Sequence, residues 1–146
     1  MVDFSLSRRV AMTIFTFHSG DELPEQIFTV NREKLRAYAI ASGDHNPIHL
    51  DEEFAKSVGL PNVIAHGMYT MALAGQAIRN WVGNHVVIVE ISTRFTKPVI
   101  VPANVETKIL FSGKINEVSA SHATVEVTAI CDGVKVLGQT KARVRW

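Results

Sequence analysis

The chain has 146 residues, a length that suits one domain built on one core. Apolar residues make up 47% and charged residues 20%, which excludes a disordered chain; 15 basic against 14 acidic side chains leave +1, which argues against a general nucleic-acid binder. No apolar run approaches the roughly 20 residues that span a bilayer, and the single Cys131 excludes an internal disulfide or a cysteine zinc site and fits a reducing, cytoplasmic setting. Cys131 falls in an alternating apolar run, so it reads as a small core residue and not as a nucleophile. The domain is taken to cover 1–146, with 1–11 as a loosely held N-terminal extension and Met12 as an alternative start. Val10 to Phe17, after Arg8-Arg9, superficially resembles a signal peptide, but Thr13 and Thr16 break it and no small-residue cleavage site precedes His18.

In chain order, Gln26 to Val30 is a short strand candidate, and Asn31 is a good N-cap for a helix over 32–42 with Leu35, Tyr38 and Ala39 on one face. Asp51 caps a second, short helix whose Phe54 and Val58 are expected to turn inward and which Gly59 ends. Leu60-Pro61-Asn62 is a turn. A third helix runs from Gly67 to about Val82 and stops near Gly83. Met68, Tyr69, Met71, Ala72, Leu73, Ala74, Ala77 and Ile78 leave it almost no polar face, so it is expected to be buried all round. Residues 86–96, 105–111, 123–131 and 134–144 are long strand candidates, with Asp132-Gly133 as a tight hairpin between the last two. Ser112-Gly113 and the Pro98 to Pro102 segment mark the other turns. The expected architecture is α+β: one long central helix wrapped by a curved antiparallel sheet of about five or six strands. One small sheet barely covers both sides of such a helix, and a second copy pairing edge to edge would cover it and protect the edge.

The chemistry concentrates in Asp44-His45-Asn46-Pro47-Ile48-His49. A carboxylate and an imidazole stand five residues apart across an Asn-Pro pair that cannot continue a helix, which is what proton transfer on a rigid bend needs. Asp44 follows Gly43 at a helix end, where the dipole disfavours a carboxylate by a few tenths of a kcal/mol. The plainer reading is an Asx turn of Asp44 and Asn46 with His49 as an ordinary loop residue. Ala65-His66-Gly67-Met68 opens the buried helix. The N–H of Gly67 lies where helix donors lack partners and the dipole is positive, a ready oxyanion site, although the glycine also simply relieves crowding. His66 either lines the site or is a buried, hydrogen-bonded histidine that holds the loop. His45, His49, Asp44 and His66 offer metal-ligand atom types, but Pro47 prevents the two histidines from sharing a helical face, so no metal is expected. Arg94, Lys97, Lys135, Lys141, Arg143 and Arg145 form either a solvated strand face or an attraction for a phosphate-bearing small molecule or an acidic carrier protein. No glycine-rich phosphate loop, dinucleotide fingerprint or nucleophile elbow is present.

Taken together, Tyr38, Ser42-Gly43-Asp44-x-Asn46-Pro47-Ile48-His49, Ala55 and Ala65-His66-Gly67-Met68 resemble the MaoC-like family of (R)-specific enoyl-thioester hydratases and dehydratases, which have the hotdog fold. The pattern is also similar to the catalytic subunits of bacterial type II fatty-acid elongation dehydratases, which act on carrier-protein thioesters. The resemblance implies a single hotdog domain and a lyase that interconverts trans-2-enoyl and (R)-3-hydroxyacyl thioesters by syn hydration. It implies Asp44 and His49 as the catalytic pair, Gly67 as the oxyanion donor, and Asn46, Pro47 and His66 as supports. Met68, Met71 and Gly75 are then expected to line the acyl-tail pocket; some relatives carry a serine at the position of Gly75. No cofactor is implied, because the CoA or phosphopantetheine arm belongs to the substrate, and the implied partner is a second copy or another hotdog subunit. The rivals are a hotdog thioesterase and a non-catalytic acyl-binding subunit of a heterodimer; presence of both Asp44 and His49 favours an active subunit.

Overall fold

The computed structural model of the chain describes residues 16–146, so the expected extension at 1–11 and the alternative start at Met12 lie outside the described residues. Strand β1 (Glu22–Val30) leads into α1 (Arg32–Ser42). Asn31 caps α1 as expected, its side chain accepting from the Lys34 N–H at 2.9 Å, an interaction worth about 1 kcal/mol. Gly43 closes it in the left-handed region at φ 78°, with its N–H on the Ala39 carbonyl. A single 3-10 turn (Pro47–His49) and the short α2 (Glu52–Ser57), capped by Asp51, follow. The long α3 (Gly67–Val82) then precedes β2 (Val87–Phe95), β3 (Thr107–Val118), β4 (His122–Cys131) and β5 (Val134–Arg145).

The five strands form one antiparallel sheet in the order β1-β3-β4-β5-β2. Asp132 and Gly133, at φ 49° and 73°, make the tight β4–β5 hairpin that their sequence announces. Register shifts interrupt every ladder, at Leu23/Gln26 in β1, Ile115/Val118 in β3 and Ser92/Arg94 in β2. Opposite the last of these, Gln139 takes φ 51° in the middle of β5. An extra residue on one strand of a pair bends the sheet, and these bulges let five strands curl round a helix. α3 packs into the curve against β1, β2, β3 and β4. Its Ala74, Ala77 and Ile78 are fully buried against Ile109, Phe111, Ile115, Val125 and Val144. Among the described residues no helix is long and apolar enough to cross a membrane.

Three expectations are corrected. The central helix is not buried all round within one chain: Met68 is 57% exposed, and Ala72, Gln76 and Asn80 continue that open side one turn apart. Phe54 and Val58 do not turn inward; both are exposed, and α2 instead buries Ala55, because six residues form too little helix to present a longer apolar face. Ser112-Gly113 is not a turn but the middle of β3, where Gly113 pairs with both Leu23 and Val127. The glycine serves the close approach of Trp81, whose indole N–H is pinned to the Pro24 carbonyl at 2.8 Å. A Cβ at Gly113 would stand 2.8 Å from the Trp81 ring. Gly113→Val is therefore expected to destabilise the fold by about 1–3 kcal/mol through overpacking against a ring that cannot retreat; urea denaturation measures it, and an unchanged midpoint would show that the ring moves freely.

Candidate active site

The left-handed Gly43 turns the chain out of α1, and two successive side-chain-to-backbone bonds then shape the loop. The Asp44 carboxylate accepts from the Asn46 N–H at 3.1 Å, and the Asn46 side chain accepts from the Ile48 N–H at 3.2 Å. Pro47, first in the 3-10 turn, loses no hydrogen bond there and fixes φ. His49 is carried inward to 8% exposure while Asp44 stays exposed at the rim. The Asx geometry and the acid–imidazole convergence are thus one arrangement rather than alternatives.

Behind this loop, Arg32 joins segments distant in sequence. Its guanidinium donates to the Glu52 carboxylate at 3.0 Å, to the Asn62 side chain at 2.6 Å and to the Val101 carbonyl. Hydrogen bonds from Lys56 and Arg32 hold the Glu52 carboxyl below its ordinary pKa. Residues 63–65 are stitched in by Ala65 N–H to Val99 O at 2.9 Å, Val101 N–H to Val63 O at 2.8 Å and Ile64 N–H to Ile48 O at 3.2 Å.

Two imidazoles sit on this frame. Nδ1 of His49 lies 2.7 Å from the Ile64 carbonyl oxygen. A carbonyl only accepts, so Nδ1 carries the hydrogen and Nε2 is left as the free basic nitrogen of the neutral ring. Nε2 of His66 donates to the main-chain carbonyl of Asp44 at 3.0 Å. The two rings stack with centroids 3.9 Å apart and planes 25° from parallel, and Tyr38 packs edge-on against His66 at 4.8 Å. One side-chain oxygen or nitrogen from each of Asp44, His49 and His66 lies within 4.8 Å of the other two. Two acceptors bridged by one water stand about 4.5 Å apart, given bonds of about 2.8 Å. The spacing of the trio suits a shared hydroxyl or water, and its three groups are also of metal-ligating type.

His66 is 1% exposed, and its Nδ1 has no hydrogen-bond partner among the described residues, a condition that costs about 1–3 kcal/mol. Burial pushes its pKa below the ordinary value, only partly offset by the bond to the Asp44 carbonyl. Burial likewise raises the Tyr69 hydroxyl and lifts the Cys131 thiol to about 11, which keeps that buried cysteine a core residue.

A cavity of about 340 Å³ lies beside this group, lined by His49, Ile64, Ala65, Gly67, Thr70, the Phe95–Val99 segment, Val136 and Leu137; of the trio His49 lines it, and Asp44 and His66 do not. Gly67 begins α3, and no side chain caps that helix end. The crowding reading of Gly67 also has substance, since a Cβ there would meet the Phe95 ring at 3.1 Å. Asp44, His49, His66 and Gly67 are thus brought to one region, with Asn46 and Pro47 shaping the loop. Met68, Met71 and Gly75 do not line this cavity; Met68 is exposed, and a Cβ at Gly75 would meet nothing within 4 Å. His45 is exposed and outside the cluster. Of the basic residues, Lys141 pairs with Glu126 at 3.4 Å and Arg143 with Glu90 at 3.7 Å across strands, a solvated face, while Lys97 alone reaches the cavity. Sequence reasoning did not single out Thr70, although a threonine within the apolar run Met68–Ala74 was a usable signal, nor the Ile64 carbonyl, a backbone group with no signature.

The lowered His66 pKa has a consequence for stability. An unfolded histidine takes a proton near pH 6.5, whereas the folded one resists it, so the contribution of neutral His66 is full above about pH 6.5 and declines as pH falls toward its folded value. Urea titrations from about pH 8 to about pH 5 are expected to show this loss, and His66→Gln to flatten the slope; an identical slope in the variant would assign the effect elsewhere.

Comparison with known proteins places the chain among related sequences and folds. The family model described as MaoC like domain matches residues 15–133. The 3-hydroxyacyl-thioester dehydratase X of Mycobacterium tuberculosis is 42% identical over 80 residues, covering 55% of this chain and 28% of that protein. The peroxisomal hydratase-dehydrogenase-epimerase of Saccharomyces cerevisiae is 27% identical over 120 residues, covering 82% of this chain and 13% of that protein. The chain thus spans well under a third of the length of these curated relatives. A solved MaoC-like dehydratase superposes with a TM-score of 0.85 at 40% identity, covering 89% of this chain and 41% of that one. The R-hydratase PhaJ1 of Pseudomonas aeruginosa superposes with a TM-score of 0.77 at 25% identity, covering 88% and 81%. A family match over residues 15–133, most of the chain, shows that it belongs to the MaoC-like domain family.

Proposed function

We propose that this chain is one hotdog domain acting as a lyase, interconverting trans-2-enoyl and (R)-3-hydroxyacyl thioesters of CoA or acyl carrier protein by syn addition or loss of water. The observation that carries the reading is that polar side-chain atoms of Asp44, His49 and His66 lie within 4.8 Å of one another, beside a largely apolar cleft that His49 and Gly67 line. Water held between the pair adds its oxygen to C3. One member takes the proton that the water loses while the other delivers a proton to the same face of C2, so the pair ends with the protons it began with. The C2=C3 electron pair passes through the thioester oxygen, where the Gly67 N–H and the positive end of α3 stabilise the developing charge. Every group in this scheme is a side chain or main-chain amide, and the scheme calls on no cofactor.

Two alternatives yield to one measurement. With crotonyl-CoA, a lyase removes enoyl absorbance without releasing thiol, a thioesterase releases thiol, and a non-catalytic subunit does neither. Asp44→Asn and His49→Ala are each expected to lower hydration at least about 100-fold without loss of fold; wild-type-like turnover in either would remove that residue from the scheme.

The exposed Val87, Val89 and Phe95 of edge strand β2, together with Met68 on α3, support a second hotdog subunit at that edge. Sedimentation of the purified chain is expected to give a dimer; a monomer that gains activity only with another hotdog chain would instead identify the heterodimer.

A further inference from the structure

The cavity wall carries two hydroxyl side chains, Thr70 and Thr96. They differ in what they have left to offer. Thr96 is exposed, and its hydroxyl donates to the Lys135 carbonyl at 2.9 Å. Thr70 is 3% exposed, and its hydroxyl reaches only the His66 carbonyl, at 3.4 Å, the far limit of a hydrogen bond. That carbonyl already accepts the Thr70 N–H at 3.1 Å. The hydroxyl therefore has a weak and redundant partner in a setting where a buried polar group without a good one is costly. Valine has the same shape and would fill the position without that cost. Thr70 also stands three residues after Gly67, so the two are neighbours on the first turn of α3 and line the same cavity as His49.

We propose that the Thr70 hydroxyl is a catalytic hydrogen-bond donor, acting on the thioester oxygen beside the Gly67 N–H. The inference rests on the lyase reading given above. As the C3–O bond forms, the C2=C3 pair shifts onto C2 and the carbonyl, and the thioester oxygen becomes enolate-like. The Thr70 O–H turns from its long bond with the His66 carbonyl to this oxygen, which is a far better acceptor once charged. When C2 takes its proton the pair returns, the carbonyl re-forms and the hydroxyl swings back. Thr70 keeps its proton throughout, so its effect is electrostatic and the acid–base roles of Asp44 and His49 are untouched.

The test compares the full-length wild type with Thr70→Val and Thr70→Ser, with thermal melts to verify folding. Hydration of crotonyl-CoA reads turnover. Binding of acetoacetyl-CoA, whose enolate absorbs in the near ultraviolet, reads oxyanion stabilisation independently of hydration. Thr70→Val is expected to lower kcat at least about 10-fold with KM little changed and to weaken the enolate band, and Thr70→Ser to restore both. A valine variant with wild-type kcat and enolate band would overturn the inference, as would a folded serine variant that restores neither. Should valine prove too unstable to assay, Thr70→Ala gives the same comparison. A wild type that binds the enolate in a Thr70-dependent way but hydrates nothing would refute the lyase reading while sustaining the donor; hydration indifferent to Thr70 would do the reverse.

Discussion

Two imidazole N–H groups donate to two main-chain carbonyls, and the geometry of the site follows from those bonds. His49 holds the Ile64 carbonyl and His66 holds that of Asp44, while the rings stack on each other. The first bond fixes which nitrogen of His49 is free and where it points. The second fixes the backbone from which the acid projects. Stacking couples the two, so neither the acid-bearing loop nor the base turns without the other. A side chain 1% exposed with one nitrogen unpartnered among the described residues is an expensive way to pack a core, and with it come polar atoms of Asp44, His49 and His66 held within 4.8 Å of one another.

The fold's role is to hold that pair against the start of a helix. α3 touches β1, β2, β3 and β4, and the sheet curls round it by means of its bulges. The N-terminal end of α3 stands clear of side-chain capping and opens on the cavity. Its positive end therefore faces that cavity, where the proposed reaction puts the thioester oxygen. The same helix leaves Met68, Ala72, Gln76 and Asn80 uncovered, which links the architecture of the site to that of the assembly.

Features governed by neighbours along the chain are legible in the amino-acid sequence itself. Asn31 with its N–H partner three residues on, Gly43 and Gly83 at helix ends, and the Asp132-Gly133 hairpin all fall where local chemistry puts them. The Asp44 to His49 loop and the Ala65 to Met68 opening are legible by resemblance, and the resemblance also names the fold. Features governed by distant contacts are not. Gly113 reads as a turn because the approach of Trp81, 32 positions earlier in the chain, leaves no trace in local composition. Phe54 and Val58 read as buried because apolar spacing cannot say whether a partner surface exists. The expected tail pocket follows the apolar face of α3, whereas the cavity runs to Phe95, Val136 and Leu137, set beside it by strand order alone.

The Ile64 carbonyl that orients His49 belongs to a segment splinted from behind by residues 99–101. Val63 and Ala65 bond Val101 and Val99 on either side of an Ile64–Ile100 bridge, and Arg32 closes the bundle on the Val101 carbonyl. The crossover between β2 and β3 is thus more than a connector. It is the anvil on which the His49 ring is aligned, so under the proposed lyase reading natural variation there would retune the geometry of the site while leaving Asp44 and His49 in place.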